Sequence, residues 1–349
     1  MSELKIGVVG LGRGQAHVSG INETEGAELT AVCDIKPGLV KEIAEENGAN
    51  AYTDYEEMLK KEDLDIVNIC TPSGLHCDMA LKAAEKNIHV LSEKPLDIDL
   101  DKIDKTVEVF AEKELKLGCI FQNRFKPENK RKKEIVESGK LGRLIFSNAH
   151  IKWYRTQEYY EKNEGWHGTW DLDGGGSLIN QSVHTIDLMQ WMMGPVSSVV
   201  GRTHVWAHDI ETEDMGVALV KFRSGATGTI VGSTACYPGF GTRLEIHGVN
   251  GGISNGRCLI KSEEEEPEEL SLGYDAGGSE EGSSDPRAIS SDTTVQQIQD
   301  MIDAVKENKE PAVTGKDARH AVEIILAIYE SARRGKEVFL PLQEPTVIN

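Results

Sequence analysis

Residues 4–17 read LKIGVVGLGRGQAH, and this stretch decides the fold. A short, mostly apolar run at 4–9 enters a turn with glycine at 10, 12 and 14. That is the pattern of a buried strand passing into a tight turn and then a helix. Glycine lets the turn close and lets backbone N–H groups approach a pyrophosphate, with the positive end of the next helix behind them. The spacing is GxGxG, one residue shorter than GxGxxG when Gly14 is taken as the third glycine. A second apolar run, 29–33, ends in Asp34, which lies 24 residues beyond Gly10. An acid at that strand end can bond both ribose hydroxyls of NAD and would repel the 2′-phosphate of NADP, although Lys36 stands close by. Together these features predict a dinucleotide-binding unit, with NAD preferred to NADP.

Working outward, apolar runs at 66–70, 89–91 and 116–121 alternate with helical patterns at 15–22, 37–47, 55–61, 76–86 and 100–114. Alternation of this length predicts an α/β Rossmann domain, a doubly wound parallel sheet, over residues 1–122. Two further strand ends carry polar residues: Thr71-Pro72-Ser73, with His76 three residues on, and Ser92-Glu93-Lys94-Pro95. Ligands of open α/β sheets sit at the carboxyl ends of the strands, so Lys94 is placed where nicotinamide and substrate would meet. Pro95 is a candidate for a cis bond.

The texture changes after residue 125. A charged helix at 126–138 and a long strand at 143–155 precede a Trp/Tyr-rich loop, a glycine triplet at 174–176 and an apolar helix to 193. Residues 196–254 read as successive strands without helices between them, which predicts an open, mainly antiparallel sheet. Met189, Met192 and Met193 read as core. Residues 262–292 are acidic and Gly/Ser-rich and read as an exposed loop; helices at 294–308 and 316–335 and a strand at 338–340 close the chain. Residues 123–349 are thus expected to form a second, α+β domain.

The 349 residues are 39% hydrophobic and 28% charged, as in ordinary globular enzymes. Thirty-eight basic against 58 acidic residues give a formal charge of −20, which disfavours nucleic acid or an anionic membrane as partner. No apolar run reaches the ~18 residues of a membrane helix, and the opening residues read as a strand instead of a signal peptide. Six scattered cysteines without a CxxC pair argue against a disulfide scaffold or structural zinc, so no metal is expected and a reducing, cytoplasmic setting is the simplest reading.

Taken together, GLGRGQAH, CDIKPG, TPSGLH, SEKP and GGGSLINQSVHTID resemble the glucose–fructose oxidoreductase/inositol dehydrogenase (Gfo/Idh/MocA) family. The likeness runs over nearly the whole chain, to GKDARHAVEIILAIYESARRGKEVFLP, whose helix the resemblance implies packs back on the cofactor domain. It implies NAD(P)-dependent redox chemistry at sugar or polyol carbons and homo-dimers or homo-tetramers built through the open sheet. It also implies cofactor contacts from Gly10, Leu11, Gly12, Arg13, Gly14, Asp34, Ile35, Thr71, Pro72, Ser73, His76, Glu93, Lys94 and Gln122. Within the family FQNRFKP, KWYRTQEYY, WHGTW and GGGSLINQSVHTIDLMQWMMG look most similar to 3-dehydrogenases of UDP-N-acetylglucosamine or its uronate.

Oxidising a secondary alcohol requires removal of a hydride and a proton, and imidazole is the usual base near neutral pH. On an ideal helix Asn180, His184 and Asp187 fall within about 60° of one another. That spacing also suits an ordinary polar helix histidine; the match to the family's GGG…H motif selects His184 as base, with Lys94 stabilising the reacting oxygen. Many family members carry an acid where this chain has Asn180, so proton handling falls more heavily on Lys94 and His184. For a nucleotide-linked sugar, Arg124, Arg155, Tyr160, Trp166 and His167 are the expected substrate contacts beside Asn180, with Lys126, Lys152 and Arg243 as further cations. Related proteins often have arginine at His167. Other readings are an inositol, free-sugar or anhydro-sugar dehydrogenase, an NAD-assisted glycoside hydrolase or lyase, and a non-catalytic NAD sensor.

Overall fold

The computed structural model describes residues 3–162, 165–262, 266–272 and 292–343. They fall into two compact units, Met1–Gln122 with Ser290–Arg319, and Asn123–Ile289 with His320–Asn349.

The first unit alternates strand and helix: β1 (Leu4–Val9), α1 (Gly14–Asn22), β2 (Ala27–Cys33), α2 (Pro37–Asn47), β3 (Asn50–Tyr52), α3 (Tyr55–Lys61), β4 (Ile66–Ile69), α4 (His76–Glu85), β5 (His89–Ser92), α5 (Leu100–Glu112) and β6 (Leu117–Cys119). All pairings are parallel, in the order β3-β2-β1-β4-β5-β6. The chain therefore winds outward in both directions from the β1–β4 junction, the Rossmann arrangement. Its helices start and stop on local chemistry. Pro37 opens α2 and left-handed Gly48 closes it, while Asp54 accepts the Glu57 N–H and Asp99 the Asp101 N–H. Residues 50–52 lack an apolar run, which is why this short strand is not evident in the sequence.

The second unit comprises α6 (Pro127–Glu137), β7 (Leu144–Lys152), α7 (Gln157–Glu161), a π-helical turn (Ser177–Ser182), α8 (Val183–Met193), and strands β8 (Val196–His204), β9 (Met215–Phe222), β10 (Thr227–Ser233), β11 (Arg243–Gly248), β12 (Gly251–Ser254), β13 (Arg257–Ile260) and β14 (Glu268–Leu270). Helix α9 (Asp292–Glu307), helix α10 (Gly315–Arg334) and β15 (Val338–Phe339) complete the chain. The sheet order is β14-β13-β12-β11-β7-β10-β9-β8-β15, antiparallel except for β7 beside β10. Buried residues 147, 149 and 151 of β7 alternate with partly exposed ones, and α8 packs against this strand. Its Met189, Met192 and Met193 are buried, as a core helix requires.

Three expectations are corrected. Helix α9 belongs to the first unit: Ile298, Met301 and Ile302 join one core with Ile6, Val8, Leu11, Ile66 and Leu91, and the Gln297 side chain donates to the Cys119 carbonyl at 2.6 Å. Of the helix expected to pack back on the nucleotide domain, only residues up to 319 group with the first unit; from His320 it groups with the sheet unit. There Ser331 accepts the Gly201 N–H at 2.9 Å. Within the acidic stretch 262–292, residues 268–270 form a strand paired with β13, while 263–265 and 273–291 lie outside the described residues.

Truncating Ile298 tests the placement of α9. Ile298→Ala should destabilise the first unit by about 2–5 kcal/mol, seen in urea titration together with faster hydrogen exchange in α1. Unchanged stability would detach α9 from this core.

Candidate active site

The glycine turn is shaped by a close approach that no side chain could occupy. Gly10 has φ +87°, and a Cβ there would lie 2.6 Å from the Cys70 carbonyl carbon and oxygen. A Cβ at Gly12, by contrast, would meet nothing within 4 Å. The first turn of α1 carries no acidic residue, so its positive end is uncompensated by side chains. Asp34 closes the other side: Oδ2 accepts the Leu11 N–H at 2.7 Å and Oδ1 the Lys36 N–H at 3.0 Å. A carboxylate has about four acceptor positions, so two remain for ribose hydroxyls. Ile35, beside it, is 75% exposed, an apolar face at the strand end. Gln122 is buried, yet its Oε1 meets no donor among the described residues. Cradle, acid, apolar shelf and orphaned acceptor fit a dinucleotide.

At the end of β5 the roles differ from those expected. Glu93 does not extend freely toward a ligand. Its Oε1 accepts from His17 Nε2 at 3.2 Å and Arg13 Nε at 3.3 Å, and its Oε2 accepts the Lys94 N–H at 3.1 Å. Burial opposes its ionisation, but the His17 hydrogen bond, with the Arg13 and Lys94 charges, holds the carboxyl well below the usual range. His17 in turn accepts from Asn68 Nδ2 at 3.1 Å. Arg13 is thereby drawn toward Glu93 and away from a purely pyrophosphate role. His76 is likewise a brace: Nδ1 lies 2.7 Å from the Pro95 carbonyl oxygen and Nε2 2.8 Å from that of Thr71. Ser73 is buried and the Thr71 hydroxyl lies 3.4 Å from the Met79 sulfur, so these side chains face the protein. The Lys94–Pro95 bond is cis. Across residues 90–97 Lys94 alone is partly exposed. The framework buries its neighbours and leaves Lys94 partly exposed.

The second unit presents a histidine in the same way. Across residues 182–189 only His184 is partly exposed. The π-helical turn just before it gathers a polar array. Asn180 Nδ2 donates to Asp173 Oδ1 at 2.7 Å and lies 3.2 Å from His167 Nδ1, while Asn180 Oδ1 accepts from Gln181 Nε2 at 2.7 Å. Gln181 also donates to the Tyr159 hydroxyl at 2.8 Å and accepts from Arg155 at 3.1 Å. The His167 ring stacks on Tyr159 with centroids 5.0 Å apart, and the Trp166 ring lies tilted against it at 3.9 Å. Asn180 lies within this π-helical turn, so the ideal-helix spacing of Asn180, His184 and Asp187 does not carry over directly.

Two expected contacts are corrected. Arg124 makes a buried bidentate pair with Asp187, at 2.8 and 2.6 Å, instead of standing ready for a phosphate. Tyr160 is buried, its hydroxyl 2.7 Å from Thr234 Oγ1, so its ring is packing and not a stacking surface. Arg155 is buried too, donating to the Tyr154 carbonyl at 2.9 Å.

Several residues of the array are not evident from the sequence. Asp173 precedes the glycine triplet without a motif of its own. Glu213 sits in the run ETED, which reads as surface acids, yet it is buried against Gly176 and Leu178. Asp214, its neighbour, is buried with His208 at 3.0 Å.

Comparison with known proteins agrees with this architecture. Residues 4–121 match the family model described as an oxidoreductase family with an NAD-binding Rossmann fold, and residues 130–254 match the GFO/IDH/MocA C-terminal domain. The WlbA dehydrogenase of Chromobacterium violaceum, solved with NADH and UDP-GlcNAcA, is 30% identical, covers 99% of this chain and 98% of its own, and superposes with a TM-score of 0.85. The chain belongs to the Gfo/Idh/MocA family. A second WlbA dehydrogenase, from Bordetella pertussis and also solved with NADH and UDP-GlcNAcA, is 29% identical over 98% and 99% of the two chains, with a TM-score of 0.87. The myo-inositol 2-dehydrogenase of Thermotoga maritima is 26% identical over 97% of this chain and 98% of its own. As a member of the Gfo/Idh/MocA family the protein is an NAD-binding oxidoreductase.

Gly10→Ala tests the cradle. The added methyl meets backbone at 2.6 Å in a left-handed conformation, so NADH affinity should fall at least about ten-fold, the equivalent of 1.4 kcal/mol, in a fluorescence titration. Unaltered affinity would show that the turn does not contact the cofactor.

Proposed function

We propose that the protein is an NAD-dependent sugar dehydrogenase that oxidises the 3-hydroxyl of a UDP-linked N-acetylhexosamine or its uronate. The observation that carries this reading is the likeness to two WlbA dehydrogenases solved with UDP-GlcNAcA, sustained over 98–99% of this chain. NAD, when bound, supplies the hydride acceptor. Gly10, Gly12 and the start of α1 would take its pyrophosphate, Asp34 its ribose hydroxyls and Ile35 its adenine face, with Gln122 offering an acceptor. His184 takes the proton from the alcohol oxygen, and Lys94 donates a hydrogen bond to that oxygen as it becomes a carbonyl. The reading requires both side chains to act on one alcohol. Asn180 has no carboxyl and cannot take up a proton at neutral pH; it orients its neighbours and the sugar. His167 and Gln181 supply the remaining polar contacts, with Trp166 beside them and Arg155 holding Gln181 in place.

A second reading is an inositol dehydrogenase. The Thermotoga maritima relative covers the chain almost completely. The commitment of Arg124 to Asp187 also removes one cation that a diphosphate would need. A panel of UDP-sugars, inositols and free hexoses with NAD and NADP, read as NADH formation, separates the two. Turnover of UDP-GlcNAcA but not of inositols is expected; the reverse result assigns the protein to the second reading. Net NADH release also excludes a hydrolase that returns its hydride each cycle, and a sensor that consumes nothing. Lys94→Ala and His184→Ala should each lower kcat by about 10²–10⁴-fold with NADH affinity nearly unchanged. A near-normal kcat in His184→Ala would place the base elsewhere.

The same reading includes a homo-dimer or homo-tetramer built on the sheet face that bears Val200, Val217 and Leu219, all exposed, in a reducing cytoplasmic setting that suits six cysteines with no disulfide among the described residues. Sedimentation should report two or four chains per particle; a monomer at micromolar concentration overturns the assembly.

A further inference from the structure

Three successive backbone N–H groups, beginning at the last glycine of the triplet, end on one residue. Glu213 Oε2 accepts from Gly176 at 3.0 Å, its main-chain oxygen accepts from Ser177 at 2.9 Å, and its Oε1 accepts from Leu178 at 2.8 Å. The Tyr329 hydroxyl also donates to Oε1, at 3.0 Å, with the Ser177 hydroxyl at 3.4 Å. There is no slack around this contact. A Cβ at Gly176 would lie 1.9 Å from the Glu213 carbonyl oxygen, and one at Gly175 would lie 2.1 Å from the Tyr329 hydroxyl. The turn so held continues directly: the Asn180 N–H bonds the Gly176 carbonyl at 3.0 Å, and the Ser182 hydroxyl bonds the Ser177 carbonyl at 2.8 Å. α8 begins at the next residue.

We propose that Glu213 is a positioning residue, whose buried carboxylate fixes the π-helical turn that carries Asn180 and thereby sets His184 for its task. The inference rests on the assignment of His184 as base. Glu213 touches no substrate in this account; it acts through the backbone of residues 176–178. The chemistry demands a carboxylate. The opening N–H groups of a helical turn carry partial positive charge, which an anion complements. Both oxygens already accept from backbone donors, so a proton on either one sets an O–H against an N–H and releases one end of the turn.

Among the described residues, the titratable groups against Glu213 include Tyr329 of α10, which donates to it, and Tyr160 of α7, which feels its charge; Asp173 of the loop before the glycines acts on both tyrosines. From β10 the Gly232 carbonyl accepts from Ser177 Oγ at 3.1 Å. Burial pushes the Glu213 carboxyl up to about 7, against the pull of its donors, among them Leu178, Tyr329 and Gly176. Its ionisation therefore falls in the range where the enzyme would work.

Glu213→Gln and Tyr329→Phe test this in the full-length protein. In Glu213→Gln the amide hydrogens of Gly176 and Leu178 should exchange about ten-fold faster or more, as loss of a hydrogen bond to a charged group implies. The His184 ring signals, assigned with a His184→Asn control, should shift. With NAD and UDP-GlcNAcA, kcat should fall about ten-fold or more while NADH affinity stays within about two-fold. Tyr329→Phe removes a donor that favours the carboxylate, so the acid limb of its kcat profile should move to higher pH. Unshifted His184 signals in Glu213→Gln overturn the proposal, whatever the turnover. So does faster exchange with an unaltered kcat, or an unmoved acid limb in Tyr329→Phe. If wild-type protein turns over no UDP-sugar, the substrate assignment fails alone, and the exchange and ring signals still decide the role of Glu213.

Discussion

The first unit depends on the contact between Gly10 and the backbone at Cys70 and Thr71. β1 and β4 are neighbours at the centre of the sheet, and the chain leaves them in opposite directions. A crevice opens there, and only a residue without a side chain lets the turn after β1 lie against the end of β4. The other strand ends are laced to this point. Leu11 bonds Asp34 after β2, Arg13 and His17 bond Glu93 after β5, and His76 spans the ends of β4 and β5. The ligand-facing rim is thus a continuous network, and Lys94 is the one partly exposed group in its stretch.

Two buried glutamates show how environment divides one side chain into two behaviours. Glu93 and Glu213 are both withdrawn from water, which disfavours their charge. Glu93 accepts from His17 and meets Arg13 and Lys94, and that hydrogen bond with the two cations outweighs the burial. Glu213 meets only neutral donors, and burial wins. Each nonetheless holds the backbone near a candidate catalytic residue, the first at Lys94 itself and the second at the turn before His184. Placing these acids beneath functional residues spends stability on geometry, as preorganised sites commonly do.

The sequence was most readable where one rule governed several residues. The alternation of apolar runs and helices reproduced the first unit nearly element by element, because strand burial and helix capping are local and repetitive. The exception, β3, is three residues long and has no apolar run. The close turn at Gly10 and the acid at the end of β2 were legible because both positions follow from spacing along the chain. His76, Glu93 and Arg124 were visible as unusual residues, but their partners, respectively Thr71 and Pro95, His17 and Arg13, and Asp187, are set by tertiary packing. The π turn at Ser177–Ser182 was not foreseen, because such a turn leaves no mark in a hydrophobic period. Glu213 was hidden altogether, since a buried acid inside ETED has the same letters as a solvated one. The membership of α9 in the first unit was equally out of reach, because about 170 residues of another unit intervene.

The nine-stranded sheet ends on two very short strands. β14 has three residues, two of them exposed glutamates, and follows Pro267; β15 has two residues and is followed within two positions by Pro341. Proline offers no N–H to an incoming strand, and the charged side chains of β14, with Glu269 held by Arg257, disfavour a further strand there. Both margins are therefore poor templates for strand addition, which leaves the sheet's broad face free to associate without the hazard of open-ended fibrous growth.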